Sequence, residues 1–184
     1  EAGRFLRESL HVRFAMPEGP DGRESLRARL LHALHRPLRV CGMVRNTGEP
    51  GGGPFWVASA DRPESLQIVE AAQVDPTDAD RQRLLRGSTH FNPVDLVCAV
   101  RDAAGRPFDL LRFVDDEASI VTRKVVDGVE QTVLERPGLW NGAMAGWNTL
   151  FVEVPAWTFA PVKTVLDLAR PEHLDPTRLG LRKR

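Results

Sequence analysis

One loop, residues 45–56, constrains the fold more than any other stretch of the chain. It contains four of the fifteen glycines and two of the fourteen prolines, so its backbone is permissive in the middle and stiff at the edges. Apolar runs of strand length flank it, at residues 38–44 and 55–57. The pattern predicts a shaped turn between two strands. Because the loop matches neither a dinucleotide fingerprint nor a P-loop, a plain Gly/Pro turn stays open beside a ligand-binding surface.

The composition indicates one globular domain, or one domain with an extra segment, in 184 residues. Twenty-five basic and 25 acidic residues cancel, which leaves no electrostatic footprint for nucleic acid. No apolar run reaches membrane-spanning length and no signal peptide is visible. We therefore expect a cytoplasmic protein with neither a nucleic-acid nor a membrane partner. Cys41 and Cys98 lie in predicted strands, where buried free thiols are expected.

Hydrophobic periodicity together with turn and capping signals predicts the remaining elements. Asp127-Gly128 is typical of a type I′ hairpin turn. Three helices are predicted: one at residues 23–35, one that follows the cap at residues 75–78 and ends at Arg86, and one that begins near Thr164. Further strands are predicted at residues 65–74 and 94–100. His32 and His35 lie on the first of these helices and are expected to have a surface or packing role. The predicted organisation is an N-terminal helical or linker segment (1–37), an α/β body (38–174) and a basic tail (175–184).

Three polar residues are candidates for ligand contacts, each with an ordinary alternative. Glu70 lies in an apolar strand, where a carboxylate is either an exposed edge position or an acceptor for ligand hydroxyls. Asn92 can donate and accept at once, which suits the vicinal hydroxyls of a sugar, but Asn-Pro is also a common turn pair. Lys163 ends a proline-rigidified turn and could meet a phosphate, or could simply be solvated.

Taken in order, these segments resemble the UDP-glucose pyrophosphorylase group of sugar-nucleotide transferases. Residues 52–55 read Gly-Gly-Pro-Phe where that group has Gly-Gly-Thr-Leu, and residues 68–74 read Ile-Val-Glu-Ala-Ala-Gln-Val for Leu-Leu-Glu-Ile-Ala-Gln-Val. Residues 91–96 read Phe-Asn-Pro-Val-Asp-Leu for Phe-Asn-Thr-Asn-Asn-Leu, and residues 159–164 read Phe-Ala-Pro-Val-Lys-Thr for Phe-Leu-Pro-Val-Lys-Ala/Thr. Residues 44–57 resemble still more closely a bacterial domain family of unknown function assigned to the nucleotidyltransferase-like fold. The likeness covers about residues 38–174.

The resemblance implies an α/β fold: part of a mixed-sheet, Rossmann-like (GT-A type) nucleotide-diphospho-sugar transferase domain that lacks its N-terminal nucleotide-binding half. It implies a sugar 1-phosphate and a nucleotide, or a UDP-sugar, as ligands, and Mg²⁺ as a cofactor whose ligands lie outside this chain. By position, Lys163 is the catalytic residue at the phosphates. The residues that contact the sugar are Gly52, Gly53, Glu70 and Asn92. The family's second loop Asn falls on Val94, and Asp95 is the expected replacement.

The resemblance predicts a chain that supplies the acceptor half of a nucleotidyltransferase and shows no turnover alone, with a contiguous N-terminal half in the native protein. The alternative is a non-catalytic sugar-nucleotide-binding or scaffold module. A further alternative is an unrelated hydrolase with His90, Asp95 and Glu70 around a metal. In the sugar-site hypothesis, Gly52→Val is expected to reduce ligand affinity more than stability.

Overall fold

The computed structural model describes residues 1–13, 22–48, 51–58, 63–160, 162 and 164–174. The described residues form three α-helices, eight β-strands and several short 3₁₀ helices. The α-helices and strands are α1 (Ala2–Glu8), α2 (Gly22–Leu34), β1 (Leu38–Arg45), β2 (Gly53–Val57), β3 (Ser65–Val69), α3 (Ala79–Arg86), β4 (His90–Phe91), β5 (Leu96–Ala99), β6 (Ile120–Val126), β7 (Val129–Glu135) and β8 (Asn148–Glu153). The 3₁₀ helices are Ala71–Gln73, Leu110–Phe113, Asp116–Ala118, Ala156–Thr158, Val165–Ala169 and Pro171–His173.

Strand β1 is the centre of a mixed sheet. It pairs in parallel with β8 and antiparallel with β5, and because both partners use residues 38–41, they lie on opposite sides of β1. The two-residue strand β4 pairs with the carboxyl end of β1, at Val44 and Arg45. Strands β2 and β3 form a separate antiparallel hairpin. A mixed α/β architecture with small antiparallel sheets is therefore present, which agrees coarsely with the predicted class.

One hydrophobic cluster of the core lies on one face of β1. Cys41 and Met43, two residues apart, point to the same side of the strand and pack with Ile68 of β3. All three are at most 2% exposed. Burial raises the pKa of the Cys41 thiol to about 11. Ile68 of the β2–β3 hairpin thus covers Cys41 and Met43 of the apolar run that predicted β1.

Arg39 shares this face and is 1% exposed. Its Nε donates to Thr149 Oγ1 (2.9 Å), its second terminal nitrogen donates to Gln67 Oε1 (2.7 Å), and its guanidinium lies 5.8 Å from the Trp140 ring centre. These partners are neutral, and no ion pair joins Arg39 to a carboxylate of the described residues. A buried positive charge without a counter-charge therefore lies between β1, β3 and β8.

Several local predictions are confirmed. Helix α2 occupies the predicted segment, and Asp78 caps α3 by accepting from the N–H groups of Asp80 and Arg81. Strands β6 and β7 pair over their whole length around Asp127 (φ 52°) and Gly128 (φ 79°). Two successive positive φ values are what a type I′ turn requires.

Other local predictions are wrong in extent or in exposure. The strand predicted at residues 65–74 ends at Val69, because the Gln73 side chain accepts from the Glu70 N–H (2.7 Å) and closes a 3₁₀ turn. Strand β5 is largely exposed rather than buried, and Cys98 is an exposed free thiol. The helix predicted near Thr164 is a 3₁₀ helix.

None of the described helices is both long enough and apolar enough to cross a membrane. The predicted basic tail, residues 175–184, lies outside the described residues. Helix α2 is tied to the sheet, since the buried Asn148 Nδ2 of β8 donates to the carbonyl of Ala33 (2.9 Å). The predicted boundary near residue 37 stays a prediction.

Candidate functional site

Most of the predicted site residues lie near the carboxyl ends of the parallel strands β1 and β8. Gly52 immediately precedes β2 and Gly53 is its first residue, and Asn92 follows β4, which pairs with the last two residues of β1. In open α/β sheets, ligands bind outside the carboxyl ends of the strands. We call this region the carboxyl-end site. It is formed by Gly52, Gly53, Glu70, Asn92 and Asp95, together with Arg45, His90 and Glu153.

The two glycines are required by packing. A Cβ on Gly52 would lie 2.4 Å from Ile68 Cγ2, and a Cβ on Gly53 would lie 2.6 Å from Ser88 Oγ. Both glycines are buried. The Cβ direction of Gly52 therefore points into the core, and a side chain at this position would displace Ile68.

Gly52 also joins two other predicted residues. Its carbonyl accepts from the Asn92 N–H (2.8 Å), and its Cβ position lies 3.4 Å from Glu70 Cγ. The sequence-based grouping of Gly52, Glu70 and Asn92 is thus a real proximity. Glu70 is exposed, so its carboxylate is accessible to a ligand.

The Asn92 side chain is engaged within the protein. It is 4% exposed, its Nδ2 donates to the carbonyl of Gly42 (2.7 Å), and its Oδ1 accepts from the Val94 N–H (2.8 Å). These two bonds join the middle of β1 to the connection between β4 and β5. Asn92 consequently holds the main chain around the site.

Val94 and Asp95 follow in that connection. Val94 has φ +69°, in the left-handed region that a β-branched side chain rarely adopts, and it is 57% exposed. The carbonyl of Asp95 accepts from the Gly42 N–H (2.9 Å), whereas its side chain is exposed. The strained residue therefore lies directly between Asn92 and a second accessible carboxylate.

A charged cluster at the same end was not grouped by sequence reasoning. Arg45 Nε donates to Glu153 Oε1 (3.1 Å), and Glu153 Oε2 lies 3.5 Å from His90 Nε2. Nδ1 of His90 is 2.9 Å from Thr89 Oγ1. Arg45 and Glu153 are the last residues of β1 and β8, so the rule for the carboxyl ends of parallel strands was the signal that could have identified them.

Lys163, the predicted phosphate-binding residue, lies outside the described residues. The described part of the same segment reaches the site, because Phe159 packs edge-on against Phe91 of β4 with the ring centres 5.0 Å apart. The role of Lys163 stays a prediction.

No group of three or more His, Cys, Asp or Glu residues is placed to hold a metal ion in the part of the chain that the structure describes. His90, Asp95 and Glu70 therefore do not form the metal site of the hydrolase alternative. The Mg²⁺ that the resemblance implies, with ligands outside this chain, stays a prediction. We assign no step to the metal.

Comparison with known families decides the membership. The model of the family described as "Domain of unknown function (DUF4301)" matches residues 1–174. The chain belongs to this family. The match extends the DUF4301 region to the N-terminal helices, which the sequence resemblance had left outside. No curated protein matches this DUF4301 chain.

Solved structures similar to this DUF4301 chain include UDP-glucose pyrophosphorylases. A mutant of the Leishmania major enzyme is 21% identical with a TM-score of 0.44, over 82% of this chain and 33% of its own. Another Leishmania major mutant, in complex with UDP-glucose, is 20% identical with a TM-score of 0.44, over 83% and 34%. A UDP-glucose phosphorylase from Trypanosoma brucei is 19% identical with a TM-score of 0.46, over 82% and 32%. The chain spans about a third of the length of these structures.

Proposed function

We propose that this chain supplies the sugar- and phosphate-binding part of a sugar-nucleotide transferase site at the carboxyl ends of β1 and β8. The observation that supports the proposal most directly is the position of Gly52, which is hydrogen-bonded to Asn92 and whose Cβ direction points to within 3.4 Å of Glu70 Cγ. These three residues come from motifs that resemble the sugar-contacting motifs of the UDP-glucose pyrophosphorylase group. Their proximity is what a shared sugar site requires.

In this proposal, Glu70 and Asp95 accept hydrogen bonds from sugar hydroxyls. Both carboxylates are exposed, and they belong to two different connections, the one after β3 and the one between β4 and β5. Asn92 positions the second of these connections through its bonds to Gly42 and Val94. The hydroxyl partners therefore come from two different connections, which fixes the orientation of the sugar ring.

Phosphate binding is assigned to Lys163 on the resemblance alone, and Arg45 supplies positive charge at the carboxyl ends of β1 and β8. Arg45 is more than two-thirds exposed although it pairs with Glu153, so a phosphate could compete for it. Positive charge at this position would stabilise the charge that develops on a transferring phosphoryl group. We also propose that the nucleotide-binding loop and the groups that hold Mg²⁺ lie outside residues 1–184, so that this chain alone does not turn over.

Calorimetry with UDP-glucose and with glucose 1-phosphate tests this proposal on the chain itself. We expect binding, and we expect Glu70→Gln and Lys163→Ala each to weaken it by about tenfold, which corresponds to one charge-assisted hydrogen bond. Glu130→Gln is the matched control, because Glu130 is an exposed carboxylate of the β6–β7 hairpin. Absence of binding, or equal affinities for all three variants and the parent chain, would contradict the proposal.

A non-catalytic binding module is the second candidate. It is favoured by the engagement of the Asn92 amide with Gly42 and Val94, which leaves less of that side chain for a reacting sugar. Release of pyrophosphate by the longer native protein, given Mg²⁺, a nucleoside triphosphate and sugar 1-phosphates, would select the transferase. Tight UDP-sugar binding without pyrophosphate release would select the module.

A further inference from the structure

A large cavity lies at the opposite end of the sheet. Its volume is about 1010 Å³, at the upper end of the range of ligand sites. Its walls are α2, residues 10–13, the turn at residues 106–109, the 3₁₀ segment ending at Phe113, and the start of β8. We call it the amino-end cavity. It contains none of the carboxyl-end site residues, and the eight residues of β1 separate the two by roughly 20 Å.

Positive charge dominates the polar lining of the amino-end cavity. Five arginines face three carboxylates, and two of these carboxylates already pair with arginines, as Glu64 with Arg13 and Asp102 with Arg106. Arg112 forms no ion pair or side-chain hydrogen bond with another described residue. Behind the wall, Thr149 accepts from the buried Arg39, whose charge is not balanced by an ion pair.

The same cavity has an aromatic wall. His35 packs edge-on against Phe108 with ring centres 5.1 Å apart, and Phe108 packs edge-on against Phe113 at 5.7 Å. These rings and the largely buried Trp147 line the cavity next to Arg112. Aromatic faces bind planar apolar groups, and arginines bind planar anions in a bidentate manner.

We propose that the amino-end cavity binds a small organic anion that combines an aromatic body with a phosphate or carboxylate group. The aromatic body contacts Phe108 and Phe113, and the anionic group pairs with Arg112. This site is independent of the proposed transferase site, because it shares no residue with it and lies at the other end of β1.

Titration of the chain with anilinonaphthalene sulfonate, a fluorescent aromatic anion, tests the proposal. We expect one equivalent to bind with increased emission. Arg112→Glu should weaken binding by about tenfold, because the attraction between the guanidinium and the anion is replaced by repulsion between a carboxylate and the anion. Ala28→Trp should abolish binding, because Ala28 is an exposed position on α2 that lines the cavity and can carry a large side chain without disturbing the core. Arg83→Glu on α3 is the matched charge control and should bind as the parent chain does.

Displacement distinguishes the sources of the anionic group. Phenyl phosphate displacing the probe before benzoate identifies a phosphate ester, and the reverse order identifies a carboxylate. UDP-glucose should leave the probe bound if it occupies only the carboxyl-end site. No stoichiometric binding, equal loss in Arg112→Glu and Arg83→Glu, or unchanged binding in Ala28→Trp would overturn the proposal. Failure of the parent chain to bind UDP-glucose, with the probe still bound, would contradict only the transferase proposal.

Discussion

The two ends of the sheet each contain one buried asparagine, and both side chains donate a hydrogen bond to a main-chain carbonyl. At the carboxyl end, Asn92 is 4% exposed and donates to the carbonyl of Gly42. At the amino end, Asn148 is 5% exposed and donates to the carbonyl of Ala33. A motif marked Asn92 as a ligand residue, and no motif marked Asn148. Both amides hold main chain, so residue type alone does not separate a ligand contact from a structural one.

The accessible charges around each asparagine make the difference. Near Asn92 lie exposed carboxylates, Glu70 and Asp95, which suit hydroxyl donors. Near Asn148 lies the arginine-rich and aromatic lining of the amino-end cavity, which suits an aromatic anion. The two ends of one strand therefore offer opposite chemistry to ligands.

The largest effect is expected from Gly52→Val at the carboxyl end. The new Cβ would lie 2.4 Å from Cγ2 of the buried Ile68, so we expect a loss of about 3 kcal/mol of unfolding free energy in urea. This reverses the sequence-based expectation that affinity would fall more than stability. Gly87→Ala is the control, since its Cβ would make contacts of 3.4 Å and longer. Equal stabilities for the two variants would show that the Gly52 loop is not tightly packed.

The asparagine pair gives the next effect. Asn92→Ala leaves both the Gly42 carbonyl and the Val94 N–H without their partner, and we expect a loss of about 2 kcal/mol. Asn148→Ala removes one such bond and should lose about 1 kcal/mol. Hydrogen exchange should quicken near β4 in the first variant and in α2 in the second. The same exchange pattern in both variants would contradict the expectation that each asparagine stabilises only its own end of the sheet.

Cys41, in the middle of β1, gives a pH effect that neither end should share. Burial raises the pKa of this thiol from 9.0 to about 11, so the unfolded chain loses the proton first as the pH rises. The stabilisation is complete below pH 9 and is lost between about pH 9 and 11, by up to about 2 kcal/mol. Thermal unfolding should show this loss in Cys98→Ser but not in Cys41→Ala. A parallel loss in both variants would assign it to other groups.

The smallest effect is a gain in stability. Val94→Asn places a residue that tolerates φ +69° at this exposed position and should stabilise the fold by about 1 kcal/mol. Val97→Asn on β5 is the control, because Val97 is also exposed but lies in an extended strand. A gain in the control as large as in Val94→Asn would show that replacing an exposed apolar side chain, and not relief of backbone strain, causes the stabilisation.

The predictable parts of the fold were those that local chemistry decides. The Asp127-Gly128 turn and the Asp78 cap depend on neighbours within a few residues, and both were predicted correctly. The apolar run of β5 could not be assigned to an exposed strand, because a short apolar run fits a buried or an edge strand equally well. Strand β3 ends early because the Gln73 side chain accepts from a main-chain N–H, and hydrophobic periodicity does not reveal such a side-chain hydrogen bond.

The sequence motifs predicted which residues lie close together, and the roles of these residues stay predictions. Motifs placed Gly52, Glu70 and Asn92 together, as they are. The partner of the Asn92 amide is Gly42, fifty positions away, and the partner of Arg39 is Thr149, 110 positions away. Such long-range bonds are set by strand register, which the sequence alone did not specify. The amino-end cavity arises in the same way, from segments far apart in the chain.

Amide chemical shifts recorded during a titration with UDP-glucose test the central claim most directly. We predict shifts at Gly53, Glu70 and Asp95 around the carboxyl ends of β1 and β8, and unchanged amide signals for Ala145 and Thr149 in the amino-end cavity. Shifts confined to the amino-end cavity, or no shifts at saturating UDP-glucose, would contradict it.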